Sequence, residues 1–210
     1  MTTLFWVLIA IISAEFAGYL LHRLLHSGKI DYLSRSHMIH HMRIYGPKMD
    51  MLATEYRLSV KHRPSFLGVG LEWIAPGLVL YAVIIIFLAI LSVPWQYVLL
   101  LVAVSFAYIY AFYNYLHDAM HIDGFWLQKT PLDAWFLRRR GWHFLHHTEL
   151  SDDGRMKNNF GITFVILDRV FGTFADRAEK FNEKGFMAAE RRYASVLDDF
   201  DRQHPRADVV

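Results

Sequence analysis

The chain has 210 residues, which is enough for one domain and leaves little room for a second. Its content of 54% hydrophobic and 16% aromatic residues exceeds the roughly 45–50% apolar content of ordinary soluble domains. A net charge of +2 gives no indication of a nucleic-acid partner, and the absence of cysteine excludes disulfides, thiolate metal ligands and a cysteine nucleophile. Twelve histidines are the unusual feature of the composition.

Three segments are predicted to span a membrane, each close to the ~20 residues that cross a hydrocarbon core of ~30 Å. They run from about Leu4 to Leu25, from about Gly77 to Val93, and from Trp95 to about Met120. The first segment is too long for the apolar core of a signal peptide and lacks a basic start, so we expect a retained anchor. Pro94 should break the helix between the other two spans, which then form a hairpin. A fourth membrane contact is expected around Phe66–Trp73.

Lysine and arginine are concentrated on one side of this arrangement. Residues 29–63 hold seven of them and residues 129–140 hold four, whereas the short Ser92–Trp95 connection holds none. The positive-inside rule therefore places the N-terminus outside and both long polar segments in the cytoplasm.

The sequence thus predicts an all-α, integral membrane helical bundle of about three to four spans. We expect a single domain over residues 1–210, with its core at about 10–175. The charged residues from about 176 to 210 are expected to form one surface helix and a frayed tail.

Ten histidines follow one two-part pattern that occurs twice. A pair with the spacing HxxxH, at the cytoplasmic end of a predicted span, is followed by a group with the spacing HxxHH. Residues at i, i+3 and i+4 share one face of a helix, so each part points its imidazoles in one direction. Ten nitrogen ligands are too many for one ion and suit two ions with five ligands each. The predicted metal ligands are His22, His26, His37, His40, His41, His117, His121, His143, His146 and His147.

Three further polar residues are predicted to orient the ligands by hydrogen bonding. Glu15 and Asn114 lie inward of the first histidines, on the histidine-bearing stripes of the first and third spans. A carboxylate inside a span is costly and therefore a functional candidate. Asp118 is next to a predicted ligand. His62 and His204 fit no part of the pattern and are not expected to bind metal.

The order HxxxH, HxxHH, HxxxH, HxxHH resembles the fatty acid hydroxylase superfamily, which includes sterol desaturases, fatty acid hydroxylases and carotenoid hydroxylases. The stretches Asn159–Gly161 and Leu167–Thr173 resemble the segment that closes the domain in many members, and His117–His121 is similar to carotenoid hydroxylases. The resemblance covers roughly residues 10–175. It implies that a cytosolic helical cap completes the helical bundle and holds a dimetal site, with two iron ions on the ten histidines and zinc replacing iron in some recombinant samples. It also implies hydroxylation of a fatty acyl, sterol, hopanoid, carotenoid or related lipid with O₂ and external electrons.

The resemblance also bears on partners and location. The sequence contains neither a fused cytochrome b5-like domain nor a glycine-rich dinucleotide fingerprint, so electrons should come from a separate ferredoxin or cytochrome with its reductase. The other expected partners are the lipid substrate and the membrane, without nucleic acid. The active site should face the cytoplasm, and the small size favours a bacterial inner membrane over the endoplasmic reticulum.

Three alternatives stay open. A desaturase would use the same site and remove a second hydrogen from the lipid in place of adding oxygen. A zinc- or haem-binding membrane protein without oxidase activity would use the histidines for binding alone. A zinc hydrolase is less favoured, because the sequence lacks HExxH and neither HxxHH group contains a carboxylate to act as a general base.

Overall fold

The computed structural model describes residues 2–47, 74–122 and 124–203. These residues are helical and contain no strand beyond an isolated bridge between Leu150 and Met156, which confirms the predicted all-α class. The helices are α1 (Thr3–Leu25), α2 (Asp31–Ile39), α3 (Ile74–Ile90), α4 (Trp95–Ile109), α5 (Asp133–Thr148), α6 (Ile166–Val170), α7 (Glu183–Arg192) and α8 (Ala194–Gln203). A π-helical turn, His40–Ile44, continues α2, and the π-helical turn Tyr110–Leu116 and the helical turn His117–Ala119 continue α4.

Two of the predicted spans are long and apolar enough to cross a membrane. They are α1, with 23 residues, and the continuous helix Trp95–Ala119, with 25 residues. Helix α3 has 17 described residues and falls short of the ~20 that a span needs. Large apolar side chains such as Leu8 and Ile86 are nevertheless exposed, and apolar surface of this extent indicates contact with lipid. The membrane contact predicted for Phe66–Trp73 lies outside the described residues.

Small residues let α1 and α4 pack closely. Ala10, Ala14 and Gly18 are buried on one face of α1, and the Ser105 hydroxyl of α4 donates to the carbonyl of Ala10 at 3.0 Å. A Cβ atom at Gly18 would lie 2.3 Å from the Tyr113 ring, so only glycine permits this approach. Close contact through small residues is a common way for helices to pair in a membrane. It brings together the two helix ends that carry the HxxxH pairs.

The C-terminal residues differ from the predicted single surface helix and frayed tail. Residues 183–203 form α7 and α8, and the side chain of Asn182 caps α7 by accepting from the Gly185 amide at 2.9 Å. Ala189, Tyr193 and Leu197 are buried at helical spacing in a core that also contains Met38 and Met42 from the α2 region. This apolar spacing within a charged sequence was the signal that the sequence analysis missed.

Gly18→Ala should destabilise the protein, because the added methyl group collides with the Tyr113 ring. Overpacking of this kind costs about 1–3 kcal/mol, which should appear as a lower melting temperature in detergent. Gly141→Ala is the matched control, since nothing lies within 4 Å of its Cβ position in α5 and alanine favours the helix. Equal melting temperatures for the two variants would contradict the close packing of α1 on α4.

Candidate metal centre

The ten predicted histidines are all buried and lie in two sets of five. Within each set, one ring nitrogen of every residue lies within 4.8 Å of the others. The first set is His22, His26, His37, His41 and His146, and the second set is His40, His117, His121, His143 and His147. Each set offers imidazole nitrogen as its donor atom, which suits iron, zinc, copper and nickel.

Each HxxHH group contributes ligands to both sets. From the α2 region, His37 and His41 belong to the first set and His40 to the second. Successive residues on a helix are about 100° apart, so neighbouring histidines diverge toward different ions. On α5 the assignment is reversed, because the middle histidine, His146, joins the first set. The two HxxHH groups therefore tie the sets into one centre.

Two backbone carbonyls fix the orientation of first-set ligands. His22 Nδ1 donates to the carbonyl of Phe160, and His146 Nδ1 donates to the carbonyl of Asn158, both at 2.6 Å. A carbonyl can only accept, so both rings carry a proton on Nδ1 and, when neutral, a lone pair on Nε2. The loop 158–160 thus turns the Nε2 atoms of both rings toward the centre of the set.

The Nε2 atoms of His22 and His146 are 3.1 Å apart. Two neutral rings in these tautomers point lone pairs at each other, and no hydrogen bond relieves the repulsion. Burial holds the pKa of His146 well below its usual value, so a second proton on that ring is disfavoured. A metal ion bound by both nitrogens replaces this repulsion with attraction. The residues present therefore fit a metal ion.

The spacing between Nε2 atoms also fits coordination. Two imidazole nitrogens bound at right angles, each ~2.1 Å from one ion, are separated by about 3.0 Å. In the first set, His26 Nε2 is 2.9 Å from that of His37 and 3.0 Å from that of His146. In the second set, the Nε2 atoms of His121 and His143 are 3.1 Å apart.

Several ring nitrogens lack any other partner. Among the described residues, both nitrogens of His41 and both nitrogens of His117 are buried without a hydrogen bond. Burial holds the pKa of His41 well below its usual value, so its ring is neutral at pH 7. A buried polar atom left unpaired costs about 1–3 kcal/mol, and coordination to an ion offsets that cost.

Tyr45 supports the second set from the loop after α2. Its carbonyl accepts from His147 Nδ1 at 2.9 Å, and its ring stacks on His121 with centroids 3.9 Å apart and planes 11° apart. Burial lowers the pKa of His147 to about 3, so this ring stays neutral and presents a lone pair on Nε2. This backbone acceptor, like those at 158 and 160, depends on loop conformation and has no signature in the sequence.

The three residues predicted to orient ligands are all buried. Glu15 accepts a hydrogen bond from Tyr108 on the neighbouring helix rather than from a histidine. Asn114 lines a cavity beside the histidines, and burial together with the charge of Asp118 raises the pKa of Tyr45. An orienting role for Asn114 and Asp118 stays a prediction. Residues 62 and 204 lie outside the described part of the chain.

Asp168 is a supporting residue that the sequence analysis did not single out. It is fully buried, and its carboxylate accepts from the Phe160 amide and the Thr173 hydroxyl, both at 2.8 Å. These bonds fix the loop whose carbonyl holds His22. Asp168 lies within the Leu167–Thr173 stretch, which carries part of the family resemblance. That resemblance could have identified it from the sequence.

A small cavity of about 40 Å³ reaches the centre from the side of the spans. It touches His22 and His37 of the first set and His117 of the second. Apart from these imidazoles and Asn114, its lining is apolar and includes Tyr113. A carbon atom placed here would lie beside both sets.

Asp168→Ala should weaken metal binding about 10- to 100-fold, the usual effect of removing a group that orients ligands. The physical reason is release of the loop that holds His22. Competition with a chelator in detergent measures the change. Asp152→Ala is the control, because this side chain is 66% exposed and pairs with Lys184 on the surface. An equal effect of both substitutions would refute the role assigned to Asp168.

Metal-free protein should become less stable as the pH falls below about 6.5. Burial lowers the pKa of His37, His41 and His143 in the folded chain, whereas the unfolded value is ~6.5. Below that pH the unfolded chain binds more protons than the folded chain, so the free energy of unfolding decreases. Thermal melts in chelator between about pH 7.5 and 5.5 test this, and a melting temperature independent of pH would contradict it.

Comparison with known proteins gives one match. The model of the fatty acid hydroxylase family matches residues 7–173, which include all ten histidines of the two sets. No curated protein and no solved structure matched the chain. The matched region ends before α7 and α8. Because the match covers more than half of the sequence, the chain belongs to the fatty acid hydroxylase family, within the fatty acid hydroxylase and sterol desaturase superfamily.

Proposed function

We propose that this protein is a membrane-bound, non-haem di-iron monooxygenase that hydroxylates a lipid. Family membership supports an oxidoreductase of the lipid hydroxylase or desaturase type. The observation that carries the finer proposal is that both five-histidine sets border one apolar cavity at the ends of two apolar helices. A fatty acyl, sterol, hopanoid, carotenoid or related lipid has the apolar carbon atoms that such a cavity accepts.

The ten imidazoles would hold the two metal ions, and backbone carbonyls orient three of these rings. The carbonyls of Asn158, Phe160 and Tyr45 keep the ligand nitrogens of three imidazoles turned toward the ions. Iron is favoured over zinc for the reaction because zinc has no redox chemistry, although imidazole binds both. Two bound iron ions would supply what amino-acid side chains lack, namely the activation of O₂ and the oxidation of an unactivated C–H bond.

The cavity also decides what reaches the site. Its apolar lining, with Tyr113 against Gly18 at the helix crossing, favours a lipid carbon and disfavours water. Hydroxylation consumes one O₂, two electrons and two protons, and it yields the lipid alcohol and one water. Two electrons must therefore enter for each turnover.

A separate donor, such as a ferredoxin or a cytochrome with its reductase, is the proposed source of these electrons. The basic residues at 29–63 and 129–140 support a cytoplasmic position for the metal centre. The proposed location is the inner membrane of a bacterium. Desaturation would use the same histidines and cavity, and the two reactions differ in whether the lipid gains oxygen or loses two hydrogens.

His143→Ala should abolish product formation and lower the metal content from about two ions per chain, because it removes a second-set ligand. The measurement is mass spectrometry of lipids from cells that express each variant, combined with elemental analysis of purified protein. His62→Ala and His204→Ala serve as controls and should retain activity. Full turnover by His143→Ala would refute the ligand assignment. A product that lacks two hydrogens, in place of one with an added oxygen, would assign the protein as a desaturase.

A further inference from the structure

Arg43 makes a part-buried double ion pair directly beside the candidate metal ligands. It follows His40 and His41 in the π-helical turn, and only 7% of its side chain is exposed. Its Nη1 and Nη2 atoms donate to the two carboxylate oxygens of Glu190 on α7, at 2.8 and 3.0 Å. Its Nε atom donates to Asp201 on α8 at 2.8 Å. One guanidinium group thus joins the ligand-bearing turn to both C-terminal helices.

The α2 region needs such support from outside. Helix α2 has nine residues, and helices shorter than ~12–15 residues are marginal without tertiary contacts. Together with the π-helical turn that continues it, this helix nevertheless carries three of the ten candidate ligands. The planar fork of arginine forms two parallel hydrogen bonds with a carboxylate, which restrains orientation as well as distance.

A second contact joins the C-terminal helices to the first set. The Tyr193 hydroxyl, at the junction of α7 and α8, donates to the carbonyl of His26 at 2.8 Å. The Tyr193 ring also lies against Gly28, where a Cβ atom would be only 2.9 Å away. The C-terminal helices therefore contact the chain at His26 as well as at the turn that carries His40 and His41.

We propose that α7 and α8 are a positioning element of the metal centre and that Arg43 is its positioning residue. Through Glu190 and Asp201, Arg43 holds the His37–His41 run at the distance and angle that coordination requires. This inference rests on the proposed dimetal site. It concerns a part of the chain beyond the region that the family model matches, which ends at residue 173.

The geometry predicts an unequal effect on the two ions. The His37–His41 run supplies two of the five ligands of the first set and one of the five ligands of the second. Loss of the Arg43 contacts should therefore weaken the first site more than the second. A general loss of stability would instead release both ions together.

The test is zinc release from the full-length, zinc-loaded protein in detergent, followed with a chromogenic chelator. Arg43→Ala should release one of its two zinc ions at least about 10-fold faster than the wild type, with a smaller change for the other. Arg43→Lys retains the charge but not the fork, so it should give an intermediate rate. Cobalt substitution should show an altered absorption spectrum for one site of Arg43→Ala.

Two further variants serve as controls. Glu190→Gln combined with Asp201→Asn removes the same ion pairs without changing the α2 region, so it should reproduce the two-phase release. Arg35→Ala breaks an ion pair between α2 and Asp199 of α8 in which the arginine side chain is 44% exposed, against 7% for Arg43, and it should behave like the wild type.

The outcomes separate this inference from the proposed function. Wild-type release rates in Arg43→Ala, or release of both ions in one phase together with a lower melting temperature, would overturn the positioning role and leave the dimetal site intact. The same two-phase release from Arg35→Ala would also overturn it, because any contact with α8 would then suffice. Wild-type protein that binds no metal would overturn both proposals.

Discussion

Ten neutral imidazoles are buried together, and the rest of the structure depends on how their ring nitrogens are satisfied. Buried polar groups normally find hydrogen-bond partners, yet His41 and His117 have none for either nitrogen among the described residues. The carbonyls that hold His22 and His146 make the conflict sharper, because they direct two lone pairs at each other. Bound metal ions would resolve the conflict at all these atoms together, and their binding would then be coupled to folding of the chain around them.

Different parts of the fold position different histidines. Close packing of α1 on α4 through Gly18 places the two HxxxH pairs at adjacent helix ends. The HxxHH groups come from α2 with its π-helical turn and from α5, and the carbonyls of Tyr45 and Asn158 accept from His147 and His146 of the second group. Helix packing thus places the pairs, and hydrogen bonds to loop carbonyls orient individual rings of both the pairs and the groups of three, since Phe160 accepts from His22. The cavity beside the histidines is lined mainly by apolar residues of these two long helices.

The sequence contains the ligands but not their supports. Spacing at i, i+3 and i+4 is enough to predict which imidazoles share a face, so all ten histidines could be named. The acceptors for His22, His146 and His147 are backbone carbonyls, and any residue type provides one. The positions of these carbonyls depend on loop conformation, and loop sequences have no periodicity from which that conformation could be predicted. Glu15 differs from these acceptors, because its stripe on α1 predicted a histidine partner, whereas its carboxylate accepts a hydrogen bond from Tyr108. Its orienting role stays a prediction.

The repeated histidine motif is supported unequally in its two halves. In the second half, the HxxHH group lies on α5, a helix of 16 residues that is long enough to hold three imidazoles on one rigid frame. In the first half, the same motif begins in a helix of nine residues and ends in a π-helical turn. A short helix that ends irregularly gains rigidity only from its neighbours, and Arg43 connects this one to α7 and α8. Two copies of one sequence motif are therefore stabilised in different ways. The first copy, which has the shorter helix, depends on contacts with residues far along the chain.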